Sequence, residues 1–123
     1  MSLNNLRREV IDTMGSLYQR GLITAYGGNI SARVKGKDQF VITPSRIPKG
    51  GLKPRDIVLC DMKANLIKGE YKPSVEAPVH ASVYRHRSDV NAVIHAHNPI
   101  ATAMGIAGVA LPPLTAETIL VLG

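Results

Sequence analysis

Apolar residues recur at helical spacing through residues 3–20, where Leu3, Leu6, Val10, Ile11, Met14, Leu17 and Tyr18 form one stripe. Gly21 follows, in the position where a left-handed residue ends a helix. Strand-like runs then take over. Residues 30–34 and 40–43 read as strands around a Gly36-Lys37-Asp38 turn, residues 56–61 as a third, and Leu66-Ile67 as a fourth after a turn at Lys63-Ala64-Asn65. Pro44, Pro48, Gly50-Gly51 and Pro54 punctuate a loop between the second and third strands. A helix is predicted at residues 76–87, with Ser74 as its N-cap and Pro78 in the first turn, where a missing N–H costs nothing. Residues 92–97 read as a further strand, and Asn98-Pro99 opens a small-residue helix over residues 100–106. Mixed strands and helices predict an α/β domain with helices covering a sheet.

Composition narrows the class. A chain of 123 residues is expected to form one domain; 45% hydrophobic residues supply a core, and 20% charged residues argue against disorder. No apolar run approaches the ~18 residues of a membrane span, and the N-terminus leads into a charged amphipathic segment instead of a signal peptide, so a cytoplasmic protein without membrane association is expected. Cys60, the single cysteine, lies in the apolar run Ile57-Val58-Leu59-Cys60 and reads as a small buried hydrophobe. The net charge of +6 is spread along the chain, with one Phe and no Trp to stack bases, which argues against a nucleic-acid partner. A basic loop from Arg46 to Arg55 suits an anionic small molecule instead. Residues 117–123 read as the middle of a folded element, so the chain is expected to be truncated at its C-terminus.

The candidate chemistry centres on His95-Ala96-His97. In a strand, this spacing puts both imidazoles on one face, and two neutral imidazoles chelate a cation, Zn²⁺ being the commonest choice. A pair of hydrogen-bonded structural histidines is the competing reading; alternation with Ile94 and Ala96, which gives one apolar and one polar face, favours the metal. His80 and His86 could add a ligand, though a packed histidine and a surface histidine are the better readings of them. Glu76, where loop gives way to helix, is either a carboxylate stabilised by the helix dipole or a base near a metal-bound substrate, and spacing leaves both open. Gly27-Gly28-Asn29 and Thr43-Pro44-Ser45-Arg46 are equally open between ordinary turns and an anion site.

Taken in order, Gly28-Asn29-Ile30-Ser31-Ala32-Arg33, Ile42-Thr43-Pro44-Ser45, Asp56-Ile57-Val58, Lys72-Pro73-Ser74-Val75-Glu76 with His80, and Asp89 to His97 resemble the class II aldolase/adducin family over nearly the whole chain. The resemblance implies a three-layer α/β/α fold with a central, mainly antiparallel sheet, assembled as a homotetramer with sites at subunit interfaces. It implies Zn²⁺ held by three histidines: His95 and His97 match two, and the third is expected in a His-Gly segment beyond Gly123. Glu76 matches the catalytic acid/base, and Asn29, Ser45, Arg46 and Ser74 match positions around the substrate phosphate. The implied activity is reversible, zinc-dependent cleavage of a sugar phosphate such as L-fuculose 1-phosphate to dihydroxyacetone phosphate and an aldehyde.

The chain departs from that pattern at three places. Tyr26 stands for a usual Thr, Arg46 for a frequent Gly and Val75 for a Ser, so two aliphatic hydroxyls are lost and one cation gained. A carboxylated sugar paired with Arg46 would suit relatives that decarboxylate or dehydrate. Glu76 argues against the epimerase relatives, which carry Asp there, and the intact histidine pair argues against a non-catalytic adducin-like module.

Overall fold

The computed structural model describes residues 2–110, 112, 115, 116 and 120, so the expectation about residues 117–123 falls, apart from Leu120, outside the described residues. Helix α1 (Leu3–Gln19) is followed by strands β1 (Asn29–Arg33) and β2 (Gln39–Ile42), a 3-10 turn at Lys49–Gly51, strands β3 (Val58–Asp61) and β4 (Leu66–Lys68), helix α2 (Ala77–His86), strand β5 (Ala92–His95) and helix α3 (Pro99–Ile106). The five strands form one antiparallel sheet in the order β4-β3-β2-β1-β5.

Alternation along the strands builds a core on each face. Ile30, Ala32, Val41 and Leu59 pack with Val10 and Met14 of α1. Their neighbours Phe40, Ile42, Val58 and Cys60 point the other way and pack with Ala77, Ala81 and Tyr84 of α2. The sheet thus lies between α1 and α2, the three-layer α/β/α arrangement that the family resemblance implied. Cys60 is fully buried, and burial followed by the Asp61 charge pushes its thiol up to about 11, which keeps it an inert core residue.

The helix ends have local causes. Ser2 Oγ accepts the Asn5 N–H at 3.2 Å to start α1. At its end Gly21 adopts φ +67°, its N–H bonds to Tyr18 O at 3.1 Å, and the Leu22 N–H bonds to Leu17 O at 3.0 Å, the paired closure of a Schellman motif. Helix α2 begins differently from the sequence expectation. Glu76, not Ser74, is the N-cap, and Ser74 closes the preceding turn through Oγ to the Glu76 N–H at 3.3 Å and its carbonyl to the Ala77 N–H at 2.9 Å.

Most strand boundaries shift by at most a single residue, and two move by two residues. β3 starts at Val58 because the Asp56 carboxylate accepts the Lys53 N–H at 2.8 Å and folds residues 53–56 into a turn. β5 stops at His95, two residues short of the predicted end. The His97 N–H leaves the ladder for Leu22 O at 2.8 Å, and Asn98 Oδ1 accepts from Ile100 and Ala101 at 2.9 and 3.1 Å to cap α3. His95 and His97 therefore are not partners in one strand, though they remain neighbours in space.

Phe40 tests the α2 face of the core. It is fully buried, with its ring centroid 5.4 Å from that of Tyr84. Phe40→Ala is expected to lower the unfolding free energy in urea by about 3–5 kcal/mol. A loss below about 1 kcal/mol would contradict this packing.

Candidate active site

The site grows from the contact between α2 and β1. Two strand residues advance about 6.6 Å and four helix residues about 6.0 Å, so every second residue of a strand can meet every fourth residue of a helix laid along it. Here Asn29, Ser31 and Arg33 meet Glu76, His80 and Tyr84. Asn29 Nδ2 donates to Glu76 Oε2 at 2.6 Å, and Asn29 Oδ1 lies 2.5 Å from His80 Nε2. Ser31 Oγ lies 2.6 Å from both His80 Nδ1 and Tyr84 Oη. Arg33 Nη2 donates to Tyr84 O at 2.6 Å and Arg87 O at 3.2 Å, capping the carbonyl end of α2, while its guanidinium stacks 4.8 Å from the Tyr84 ring. Asn29, Ser31, His80 and Tyr84 are all buried.

Strand register carries this seam to the histidines. Asn29 pairs with His95 across β1 and β5, so His95 points to the α2 face, where Nδ1 contacts Glu76 Oε2. The His97 ring sits beyond the end of the strand with its centroid 4.7 Å from that of His95 and the planes tilted by 36°. Glu76 is held below the usual carboxylate range, chiefly by the Asn29 hydrogen bond; burial opposes this, and the contact with His95 adds to the lowering. His80 is lowered as well, but by burial, which pushes it down to about 4, so it is neutral at physiological pH. Both of its ring nitrogens are engaged, which accords with the packed-histidine reading, and His86 is exposed with Nδ1 on Ser82 O at 2.8 Å.

Glycines allow the close approach. A Cβ on Gly28, whose φ is +78°, would stand 2.4 Å from Ile23 Cγ2 and 3.1 Å from the His95 carbonyl oxygen. The anion-nest reading of this turn loses one donor, because the Gly27 N–H already bonds to Thr24 Oγ1 at 2.8 Å.

Beside Glu76 opens a cleft of about 200 Å³ lined by Gly28, Asn29, Ser45, Arg46, Lys49, Ser74 and His97, with Tyr26 and Val75 at its rim. The structure thus gathers Asn29, Ser45, Arg46, Ser74, Glu76 and His97 in one place, with His95 in the adjoining hollow that Glu76 also lines. Lys49 was missed from sequence. It is buried, its Nζ donates to Pro44 O at 2.6 Å, and burial lowers its pKa, yet Lys49 between a proline and two glycines carries no signal of burial. Arg46 has φ +59°, a conformation suited to glycine and costly for a residue with a Cβ, which gives a physical reason for glycine at such a position.

The donors present suit a divalent metal in kind: the His95 imidazole touches the Glu76 carboxylate, and the His97 ring lies beside that of His95. Among the described residues, no group of three or more His, Cys, Asp and Glu forms a full set that could hold a metal ion. His95 and His97 offer part of one.

Comparison with known proteins bears on the same region. Residues 8–123 match the family model described as Class II Aldolase and Adducin N-terminal domain. Among solved structures, an L-fuculose 1-phosphate aldolase superposes with a TM-score of 0.81 at 35% identity, covering 88% of this chain and 51% of that one. The L-fuculose-1-phosphate aldolase from Thermus thermophilus gives 0.76 at 34%, covering 91% and 56%. YgbL from Klebsiella pneumoniae, described as an aldolase/epimerase/decarboxylase, gives 0.78 at 30%, covering 85% and 49%. The chain spans about half the length of these proteins.

Two outcomes follow from the geometry. The folded state holds His80 neutral to about pH 4, whereas the unfolded chain takes up its proton near pH 6.5, so stability is lost as pH falls through that window. Urea unfolding between pH 7 and pH 4.5 is expected to show a loss on the order of 2 kcal/mol that His80→Gln largely abolishes. Arg46→Gly, by contrast, is expected to leave the thermal midpoint unchanged or slightly raised, since relief of the left-handed strain offsets the added chain entropy. A drop of more than about 1 kcal/mol would show that the Arg46 side chain holds the loop.

Proposed function

The chain belongs to the class II aldolase and adducin family, and from that premise we propose that it forms the N-terminal, acid/base half of a zinc-dependent aldehyde-lyase acting on a sugar phosphate. The observation that carries this reading is the meeting of an ionised Glu76 with His95, and His97 beside it, at the edge of a cleft that holds Arg46 and Lys49. His95 and His97 would hold Zn²⁺, with a third imidazole expected from residues outside this chain. When bound, the metal supplies a Lewis acid that makes the carbon next to the substrate carbonyl acidic.

The chain's own residues supply the rest. Glu76, kept ionised by the Asn29 amide, takes the proton from that carbon of dihydroxyacetone phosphate in the condensation direction and returns it after cleavage. Ser45, Arg46, Ser74 and the second Asn29 amide N–H line the cleft in which the phosphate would lie, with buried Lys49 adding charge at its floor. Exposed Val75, Val79, Ile94, Ile100 and Ile106 are apolar surface of the kind that other subunits would cover in a tetramer with shared sites. Among the described residues, no helix is long and apolar enough to cross a membrane.

Arg46 favours one second reading. Its guanidinium, with no hydroxyl at Val75 and only a phenolic one at Tyr26, suits a substrate carboxylate, and a decarboxylase or dehydratase of the same family would use the same Glu76 and histidines.

Incubation of the full-length, metal-loaded protein with L-fuculose 1-phosphate is expected to release dihydroxyacetone phosphate, and the zinc content is measured on the same full-length protein. Full zinc loading with no release would remove the aldolase and leave the carboxylate-directed readings, and purification without chelator yielding no zinc would remove all three. Glu76→Gln is expected to keep its metal and lose on the order of 100-fold or more in turnover. His95→Ala should lose the zinc itself, measured by metal analysis, and stoichiometric retention would exclude it as a ligand.

A further inference from the structure

The α2–β1 seam has a direction, and the direction can be worked out from one end. Glu76 is ionised and can only accept, so the Asn29 group facing it must be the amide nitrogen and the group facing His80 the amide oxygen. An oxygen there requires His80 Nε2 to carry the proton. His80 is neutral, so its Nδ1 is bare and must accept from the Ser31 hydroxyl. Ser31 Oγ, having donated its single proton, accepts from the Tyr84 hydroxyl. Every donor is used once and every choice is forced by the next one: Tyr84 to Ser31, Ser31 to His80, His80 to Asn29, Asn29 to Glu76.

We propose that this one-way chain is a positioning relay, in which buried His80, locked as its Nε2–H tautomer by Ser31 and Tyr84, orients the Asn29 amide and thereby holds the Glu76 carboxylate for reaction. The proposal deepens the reading of Glu76 as the acid/base and rests on it for its catalytic consequence. It is a relay of orientation and not of protons, because passage through Asn29 would require the amide to become an imidic acid. The seam also explains the residue types. Ser31 and Tyr84 lie too far along β1 and α2 to touch a substrate in the cleft, yet both are polar and almost wholly buried, at 0% and 2% exposure. Burying such hydroxyls is justified when each fixes the next group's orientation.

The test uses the metal-loaded protein labelled with ¹⁵N. His80 is expected to show a bare Nδ1 and a protonated Nε2 in its imidazole spectrum at neutral pH, and the Asn29 side-chain amide is expected to show a proton shifted downfield by its carboxylate acceptor. His80→Phe should move the Asn29 amide signal and lower kcat about 10- to 100-fold, with KM and zinc content little changed. His80→Gln, which can place an N–H donor at the same point, should restore most of the signal and the rate. A protonated Nδ1, an Asn29 signal untouched by His80→Phe, or equal losses in the Phe and Gln variants would overturn the relay. If His80→Phe does not fold, the native tautomer and the Gln variant still decide. A protein with both spectral signatures and no aldolase turnover would keep the relay and lose the proposed reaction.

Discussion

The architecture depends on a polar seam buried where a helix crosses a strand. Asn29, Ser31, His80, Tyr84 and the Glu76 carboxylate leave no simple apolar contact along that line, and an unpaired buried group would cost about 1–3 kcal/mol each. The groups therefore satisfy one another together or not at all. Phe40, Ile42, Val58 and Cys60 supply the apolar attraction that brings α2 onto the sheet, but attraction alone would let the helix slide or rotate. Hydrogen bonds have narrow geometric tolerance, and they fix α2 at one register against β1.

That register reaches the chemistry by a short path. Asn29 faces Glu76 on one side and pairs through the sheet with His95 on the other, so a single residue couples the N-cap of α2 to the end of β5. Gly28, immediately before it, removes the side chain that would push the backbone away from His95 and Ile23. Glu76 at the N-cap of α2 and His95 at the end of β5 thus rest on adjacent regular elements, while His97 lies in the short connection to α3. The cleft loop is the softer partner: Arg46 holds a backbone conformation that its own side chain disfavours, next to buried Lys49.

Much of this was legible in the sequence, for identifiable reasons. The stripe from Leu3 to Tyr18 and the glycine after it defined α1, because periodicity and a left-handed stop are local properties. The ordered segments around Asn29, Glu76 and His95 pointed to the family and to its sheet. What escaped was decided by partners distant in sequence. His97 was placed in a strand because alternation continued through Ala96, whereas its N–H is taken by Leu22. Ser74 looked like an N-cap by residue type, but the turn it closes leaves that position to Glu76. Lys49 gave no hint of burial, since only the folded loop brings Pro44 O to its ammonium. Asn29, Ser45, Arg46 and Ser74 of the cleft could be named from sequence, while the hydrogen-bond direction that orders Ser31, His80 and Tyr84 required coordinates.

The bond from His97 to Leu22 O bears on how such a chain assembles during synthesis. Leu22 is the last link of the motif that closes α1, and it leaves the ribosome well before His97 does. The N-terminal helix can therefore finish its C-terminal turn early and wait, presenting a fixed acceptor to a histidine that arrives later. The placing of the His97 ring beside His95 becomes a report on whether the first helix has docked, since a non-local contact has to form before that second imidazole is in place. A nascent or misassembled chain with α1 undocked would lack the Leu22 carbonyl that holds His97 beside His95.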